Sequence, residues 1–224
     1  MTTRATRFIS DPPETPFAPT WDFTLARMQT DIDVKSLAEV ILSKEKEIID
    51  TYPGDMTFMP LDKEGINTVA EESVTARFKY FNVLKWDHPE CKKLHQSIKK
   101  LHEQYFTGLI PDVPIPRMKV RCWCNVMRKN EQIGKHNHSI HSLTYLSGNL
   151  CVSAIDTTTN YIPPYLEWGD EVVFENVPGE ITIFPQWMIH YTSKHLHDEP
   201  RISVAFDLVP FDLNPDDNDN LIEL

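Results

Sequence analysis

The hydrophobic pattern of the chain changes period near its middle. From Asp33 the apolar residues Val34, Leu37, Ile41 and Ile48 fall on one helical stripe, and Tyr52-Pro53-Gly54 supplies a stop. A second amphipathic helix is predicted from His88-Pro89, with Leu94, Ile98, Leu101 and Tyr105 as its buried face. Beyond "GLIPDVPIP" the period drops to two. "MKVRCWCNVM" sets Val120, Cys122, Cys124 and Val126 against Arg121, Trp123, Asn125 and Met127, so the two sets occupy opposite faces of a strand. The strand-like runs "LTYL", "NLCVSA", "EVVF", "EITIFP" and "RISVAFDLV" follow, separated by turn signals such as Ser147-Gly148 and Val177-Pro178-Gly179-Glu180.

Two helices followed by many closely spaced strands predict an α+β chain whose second half is a β-sandwich or barrel, with the helices covering a sheet. The expected organisation is one domain over 1–224. Within it, residues 1–22 form a Pro- and Thr-rich extended arm and 23–117 a helical support region. Residues 118–210 form the β core and 211–224 an acidic, solvated tail.

Composition adds limits rather than detail. A hydrophobic content of 41% and a charged content of 25% describe an ordinary globular chain with enough apolar surface for one sizeable core. No stretch approaches the roughly 20 apolar residues that span a membrane. The start, "MTTRATRFISDPPETP", has no apolar secretory segment, so a cytoplasmic setting is expected, with Cys91, Cys122, Cys124 and Cys151 reduced. Cys122 and Cys124 have no second pair at zinc-finger spacing and read as one face of a strand. A net charge of −11 argues against a nucleic-acid backbone as the main partner.

Histidine placement carries the candidate chemistry. "GKHNHSIHSLTY" concentrates His136, His138 and His141, three of the chain's nine histidines. His136 and His138, two apart, point to one face of an extended segment and can reach one metal ion from adjacent corners; a polar strand edge where histidine is merely tolerated is the competing reading. A third ligand must come from another strand, and His190 in "GEITIFPQWMIHYT" is the candidate. His141 is the alternative should the strand end early. On the second helix, His88, His95 and His102 also share a side, but about 10.5 Å separates successive members. That spacing suits a solvated face and not a metal. His195 and His197, in "SKHLHDEP", read as an exposed loop. Finally, "EPRISVAFDL" puts Arg201, Ser203, Ala205 and Asp207 on one strand face. An inward Arg requires an anion, and a bound carboxylate gripped by Arg201 with help from Ser203 would supply it. An outward Arg on an edge strand is the competing reading.

Taken in order, Trp123-x-Asn125, His136-x-His138, "PGEITIFPQWMIH" and Arg201-Ile202-Ser203 resemble the Fe(II)- and 2-oxoglutarate-dependent oxygenase superfamily. The nearest likeness is to a branch, mostly bacterial and phage, distantly similar to prolyl hydroxylases. The resemblance runs from Trp123 to Leu208. It implies a double-stranded β-helix, a jelly-roll barrel with helices outside. It implies Fe(II) held by His136, His138 and His190. It further implies 2-oxoglutarate held by Arg201, Ser203 and Asn125, O2 as oxidant, and ascorbate as an auxiliary reductant. The implied activity is hydroxylation of a C–H bond in a protein or peptide side chain or in a small metabolite, with release of succinate and carbon dioxide. The implied setting is cytoplasmic, the host's cytoplasm for a viral chain. Trp123, Phe184 and Trp187 read as packing.

The sequence departs from the superfamily pattern at two places. Most members have an Asp or Glu where this chain has His138, so the implied triad is three neutral imidazoles. "LTYLSG" is also shifted, which leaves a pocket role for Tyr145 open. A three-histidine cupin-like protein that binds a metal without 2-oxoglutarate is therefore the alternative. An inward Arg201-x-Ser203 would separate the two. The loop "DTTTNYIPPYLEWGD", Asp156–Asp170, reads either as a substrate rim or as a plain surface connection.

Overall fold

The computed structural model describes residues 2–56, 69–139, 142–163, 171–211 and 220–224. Helix α1 spans Val34–Thr51 and α2 spans Pro89–Leu109. Asp33 caps α1 by accepting from the amides of Lys35 and Ser36, and Pro89 opens α2, where a missing N–H costs nothing. The strands are β1 Thr3–Ile9, β2 Asp22–Gln29, β3 Met118–Met127, β4 Leu146–Ser153, β5 Thr158–Ile162, β6 Val172–Glu175, β7 Glu180–Pro185, β8 Ile189–Thr192, β9 Arg201–Pro210 and β10 Ile222–Glu223.

Two antiparallel sheets result. The larger has the order β1-β2-β7-β4-β9-β3-β10 and the smaller β6-β5-β8. They enclose a barrel interior, and both helices pack on the outer face of the larger sheet, as expected for a double-stranded β-helix. On that outer face Val120, Cys122, Cys124 and Val126 of β3 join Ile202, Val204, Phe206 and Leu208 of β9. Leu37 and Ile41 of α1 and Leu94, Ile98 and Leu101 of α2 cover them without exposure. Each such side chain contributes about 1.5–3 kcal/mol by leaving water. A smaller cluster between the sheets contains Phe23, Leu25, Tyr161, Phe184 and Met188. The turn between β6 and β7 has Pro178 then Gly179, whose φ of 84° and the Glu180 amide donating to Val177 O fit a type II turn.

Several expectations need correction. Asp22–Gln29, which but for Asp22 lies in the stretch read as helical support, is a strand inside the larger sheet, and Thr3–Ile9 of the expected arm pairs with it residue for residue. β2 is buried on both faces, Phe23 and Leu25 inward and Ala26 and Met28 toward the helices, which hides the two-residue alternation. Ile222–Glu223, in the expected acidic tail, pairs with β3. Part of the Asp156–Asp170 loop is strand β5, and its positions 164–170 lie outside the described residues.

The histidines of α2 do not form a solvated face. His88 caps the helix, its Nδ1 accepting from the Glu90 amide. His95 Nε2 reaches the Glu223 carbonyl at 3.0 Å, and His102 is 2% exposed and meets the Tyr145 hydroxyl at 2.9 Å. A seven-residue echo drifts by about 20° per repeat, enough to carry the last member of the row under a neighbouring element. Tyr145 itself lies on this helix side, packed against the main core, and not in the barrel interior. His195 is also buried, its Nε2 donating to the Glu199 carbonyl.

Candidate metal centre

Three imidazoles meet at the mouth of the barrel. The segment Ile133–Ser139 runs antiparallel to β8 and the turn before it. His136 and His190 exchange both backbone hydrogen bonds, 3.0 and 2.9 Å, and the His138 amide donates to Gln186 O at 2.9 Å. This pairing sets the rings beside one another. Centroids are 4.3 Å apart for His136 and His190, 5.1 Å for His138 and His190, and 5.4 Å for His136 and His138. One ring nitrogen from each lies within 4.8 Å of the others.

The tautomer of each ring follows from its partner. His136 Nδ1 faces the Gly134 carbonyl at 2.8 Å, and His190 Nδ1 the Met188 carbonyl at 2.9 Å. His138 Nδ1 faces Asp207 Oδ1 at 2.5 Å. Carbonyls and an ionised carboxylate only accept, so Nδ1 carries a proton in all three and Nε2 is the atom left for a metal. Burial, with the neighbouring His138, pushes His136 down to about 4, and burial pushes His190 well below the ordinary histidine range. Both are neutral near pH 7, the form that binds a metal. A first-row divalent ion accepts imidazole nitrogen in this facial arrangement, so the donor set fits Fe(II), and it equally fits zinc or copper.

The cavity floor is the inner face of β3 and β9. Cα partners across this pair are Arg121 with Asp207, Trp123 with Ala205, Asn125 with Ser203 and Met127 with Arg201. The cavity encloses about 510 Å³, within the usual range for small-molecule sites. His136, His138, His190, Asn125, Arg201 and Ser203 all line it, so the structure brings these six sequence-selected residues to one cavity. His141 lies outside the described residues. Trp123 and Phe184, read as packing, are cavity wall, whereas Trp187 packs edge-on against Phe23.

Arg201 is 3% exposed. Its Nε donates to Thr157 Oγ1 at 3.2 Å, its Nη1 has only the thioether of Met127 at 3.6 Å, and no carboxylate among the described residues pairs with it. Burial lowers its pKa to about 10, so it remains a cation near neutral pH. A buried guanidinium with unspent donors facing a cavity suits a ligand carboxylate. Exposure grades along the floor, from Arg201 to Arg121, whose side chain is 29% exposed, so Arg201 marks the closed end and Arg121 the open one.

Asp207, Arg121 and Thr157 were not singled out as functional in the sequence. The period-two alternation already puts Asp207 on the face of Arg201 and Arg121 on the face of Asn125. What it lacks is the register that pairs the two strands.

Comparison with known proteins bears on the same region. Residues 121–207 match a family model described as "Putative 2OG-Fe(II) oxygenase". No curated protein matches. Among solved structures, a prolyl-4-hydroxylase from Pseudomonas putida superposes with a TM-score of 0.52 at 10% identity, covering 83% of this chain and 92% of that one. AviO1 from Streptomyces viridochromogenes Tue57 gives 0.55 at 12% identity, over 85% and 91% of the two chains. The epimerase SnoN from nogalamycin biosynthesis, in complex with Fe3+, alpha ketoglutarate and nogalamycin RO, gives 0.55 at 12%, over 83% and 78%. At such identities the superpositions establish the fold. The resemblance read from the motifs thus stands in both the sequence pattern of the barrel core and the architecture around it.

Proposed function

We propose, for a barrel core that carries the 2OG-Fe(II) oxygenase pattern, that the protein is an Fe(II)- and 2-oxoglutarate-dependent dioxygenase hydroxylating a C–H bond. His136, His138 and His190 hold the metal. Arg201, with Ser203 and Asn125, holds the distal carboxylate of 2-oxoglutarate. Fe(II) with 2-oxoglutarate and O2 supplies the oxidation of an unactivated C–H bond, with release of succinate and carbon dioxide. The single observation that carries the reading is the union in one cavity of three clustered imidazoles and a buried cation that no carboxylate among the described residues pairs with.

The protein's own contribution is positional. Backbone pairing between His136 and His190 fixes two ligands to one rung, and three Nδ1–H bonds stop the rings from turning. Arg201 draws the co-substrate to the closed end, which leaves the open end near Arg121 and Trp123 for the prime substrate. That substrate is a protein or peptide side chain or a small metabolite. The setting proposed is cytoplasmic. Among the described residues no helix is long and apolar enough to cross a membrane.

A second reading follows from the ligand set itself. Three imidazoles without a carboxylate also suit a cupin-like metal protein that acts without 2-oxoglutarate. The discriminating experiment measures 2-oxoglutarate conversion to succinate with Fe(II) and ascorbate, together with calorimetric binding of 2-oxoglutarate to protein loaded with a redox-silent metal. Slow uncoupled turnover and saturable binding are expected. A metal-loaded protein that binds no 2-oxoglutarate supports the cupin reading instead.

A further inference from the structure

The three-histidine set lacks the anion that a carboxylate ligand would supply, and the structure holds an anion one bond away. Asp207 is 4% exposed on the inner face of β9. Its Oδ1 accepts from His138 Nδ1 at 2.5 Å and from the Ser147 hydroxyl at 2.6 Å, and its Oδ2 accepts from Arg121 Nη2 at 2.7 Å. His138 occupies the position at which most of the resembled superfamily has Asp or Glu. The other two histidines hydrogen-bond only neutral backbone carbonyls through Nδ1. His138 alone leans on a charge.

We propose that Asp207 is the positioning residue that restores the missing negative charge to the metal centre through His138. The carboxylate holds the Nδ1–H tautomer and the ring plane. It also raises the electron density at Nε2, so that a neutral imidazole binds more like an anionic ligand. Ser147 fixes the carboxylate's near oxygen, and Arg121 neutralises the far one. Arg121 therefore opposes the effect: it orients Asp207 but drains charge from it. The site is tuned by a relay of His138, Asp207 and Arg121 across the β3–β9 rung that pairs Arg121 with Asp207. The β3–β9 register brings Arg121 to Asp207 and the His138 amide's bond to Gln186 O brings His138 to them, which is why no local motif announces the three.

The inference rests on the proposed metal centre, and one experiment separates the failure of each. Purified apo-protein is titrated anaerobically with Fe(II), and separately with Co(II), in competition with a chelator. The variants are wild type, His190→Ala, Asp207→Asn and Arg121→Gln. Wild type binds one equivalent, and His190→Ala does not. Asp207→Asn keeps the shape and loses the charge, and its affinity falls about ten- to a hundredfold. Arg121→Gln binds as tightly as wild type or tighter. A merely structural ion pair predicts equal losses for Asp207→Asn and Arg121→Gln, and that result overturns the proposal. Proton NMR of the apo-protein gives a readout independent of metal: the His138 Nδ1–H resonance lies far downfield in wild type, where a carboxylate accepts it, and moves upfield in Asp207→Asn. Should Asp207→Asn not fold, the double variant with Arg121→Gln, which leaves no guanidinium without its partner, takes its place. Wild-type affinity in Asp207→Asn, or in the double variant that replaces it, sinks the role of Asp207 while leaving the metal centre intact. A wild type that binds no metal, or a His190→Ala variant that binds as well as wild type, sinks the centre itself.

Discussion

On one side of β3 and β9, Cys122, Cys124, Val204 and Phe206 are fully buried beneath two helices. On the other side of the same residues' neighbours, Arg121, Asn125, Arg201, Ser203 and Asp207 line a cavity. Backbone, register and strand length are common to both faces, so the difference lies in side chains alone. The outer face is held by close-packed apolar contact, which needs no ligand. The inner face keeps polar groups out of water in fixed pairs and leaves Arg201 without a carboxylate partner among the described residues. In the proposed reading stability belongs to one face and chemistry to the other, and substitutions separate them.

The largest separation is expected from His190→Ala. Metal affinity falls by more than about a hundredfold, beyond what loss of an outer-shell partner causes, while circular dichroism and the urea midpoint stay near wild type. The converse is Phe206→Ala on the helix-facing side. It costs about 3–5 kcal/mol of unfolding free energy in urea and leaves metal stoichiometry of the folded fraction unchanged.

His102 tests a buried imidazole on the helix side. Burial lowers its pKa to about 4, against an ordinary 6.5. Between these values the unfolded chain holds more protons, so stability rises with pH through this window and is lost as pH falls from 6.5 toward 4. At pH 4 the loss from this residue is at most about 3 kcal/mol, since each pKa unit is worth about 1.4 kcal/mol. His102→Gln removes the titration, and its stability, measured by urea unfolding, falls less steeply than that of wild type across the same range. An unchanged slope means that His102 is not buried as a neutral ring.

Arg201→Lys gives the smallest and most selective effect. Lys keeps the charge but loses the planar fork, so 2-oxoglutarate binding measured by calorimetry weakens about ten- to a hundredfold, with metal affinity unchanged. Equal 2-oxoglutarate affinities would place the carboxylate elsewhere in the cavity.

Much of this division is legible in the sequence, because strand alternation sorts Val120, Cys122 and Cys124 from Arg121, Trp123 and Asn125 without knowledge of the fold. The helices are legible for the same reason, Leu94, Ile98 and Leu101 marking a buried stripe. Strand β2 is hidden because both of its faces are buried and its two-residue alternation carries no polar contrast. His102 and His195 are hidden because burial of a histidine depends on what another segment presents to it, here Tyr145 and the Glu199 carbonyl. Asp207 shows its face in the sequence but not its partner. Its role depends on β3 and β9 pairing in one register, and a shift of one residue would turn it toward the helices.

The most direct test of the central claim is an anaerobic titration of apo-protein with Fe(II) and 2-oxoglutarate, followed by visible absorption. A metal-to-ligand charge-transfer band is predicted that needs both components, saturates at one equivalent of each, and is lost in His190→Ala. A colourless wild-type protein that binds Fe(II) stoichiometrically in the presence of saturating 2-oxoglutarate would contradict the claim that the inner face holds metal and co-substrate together.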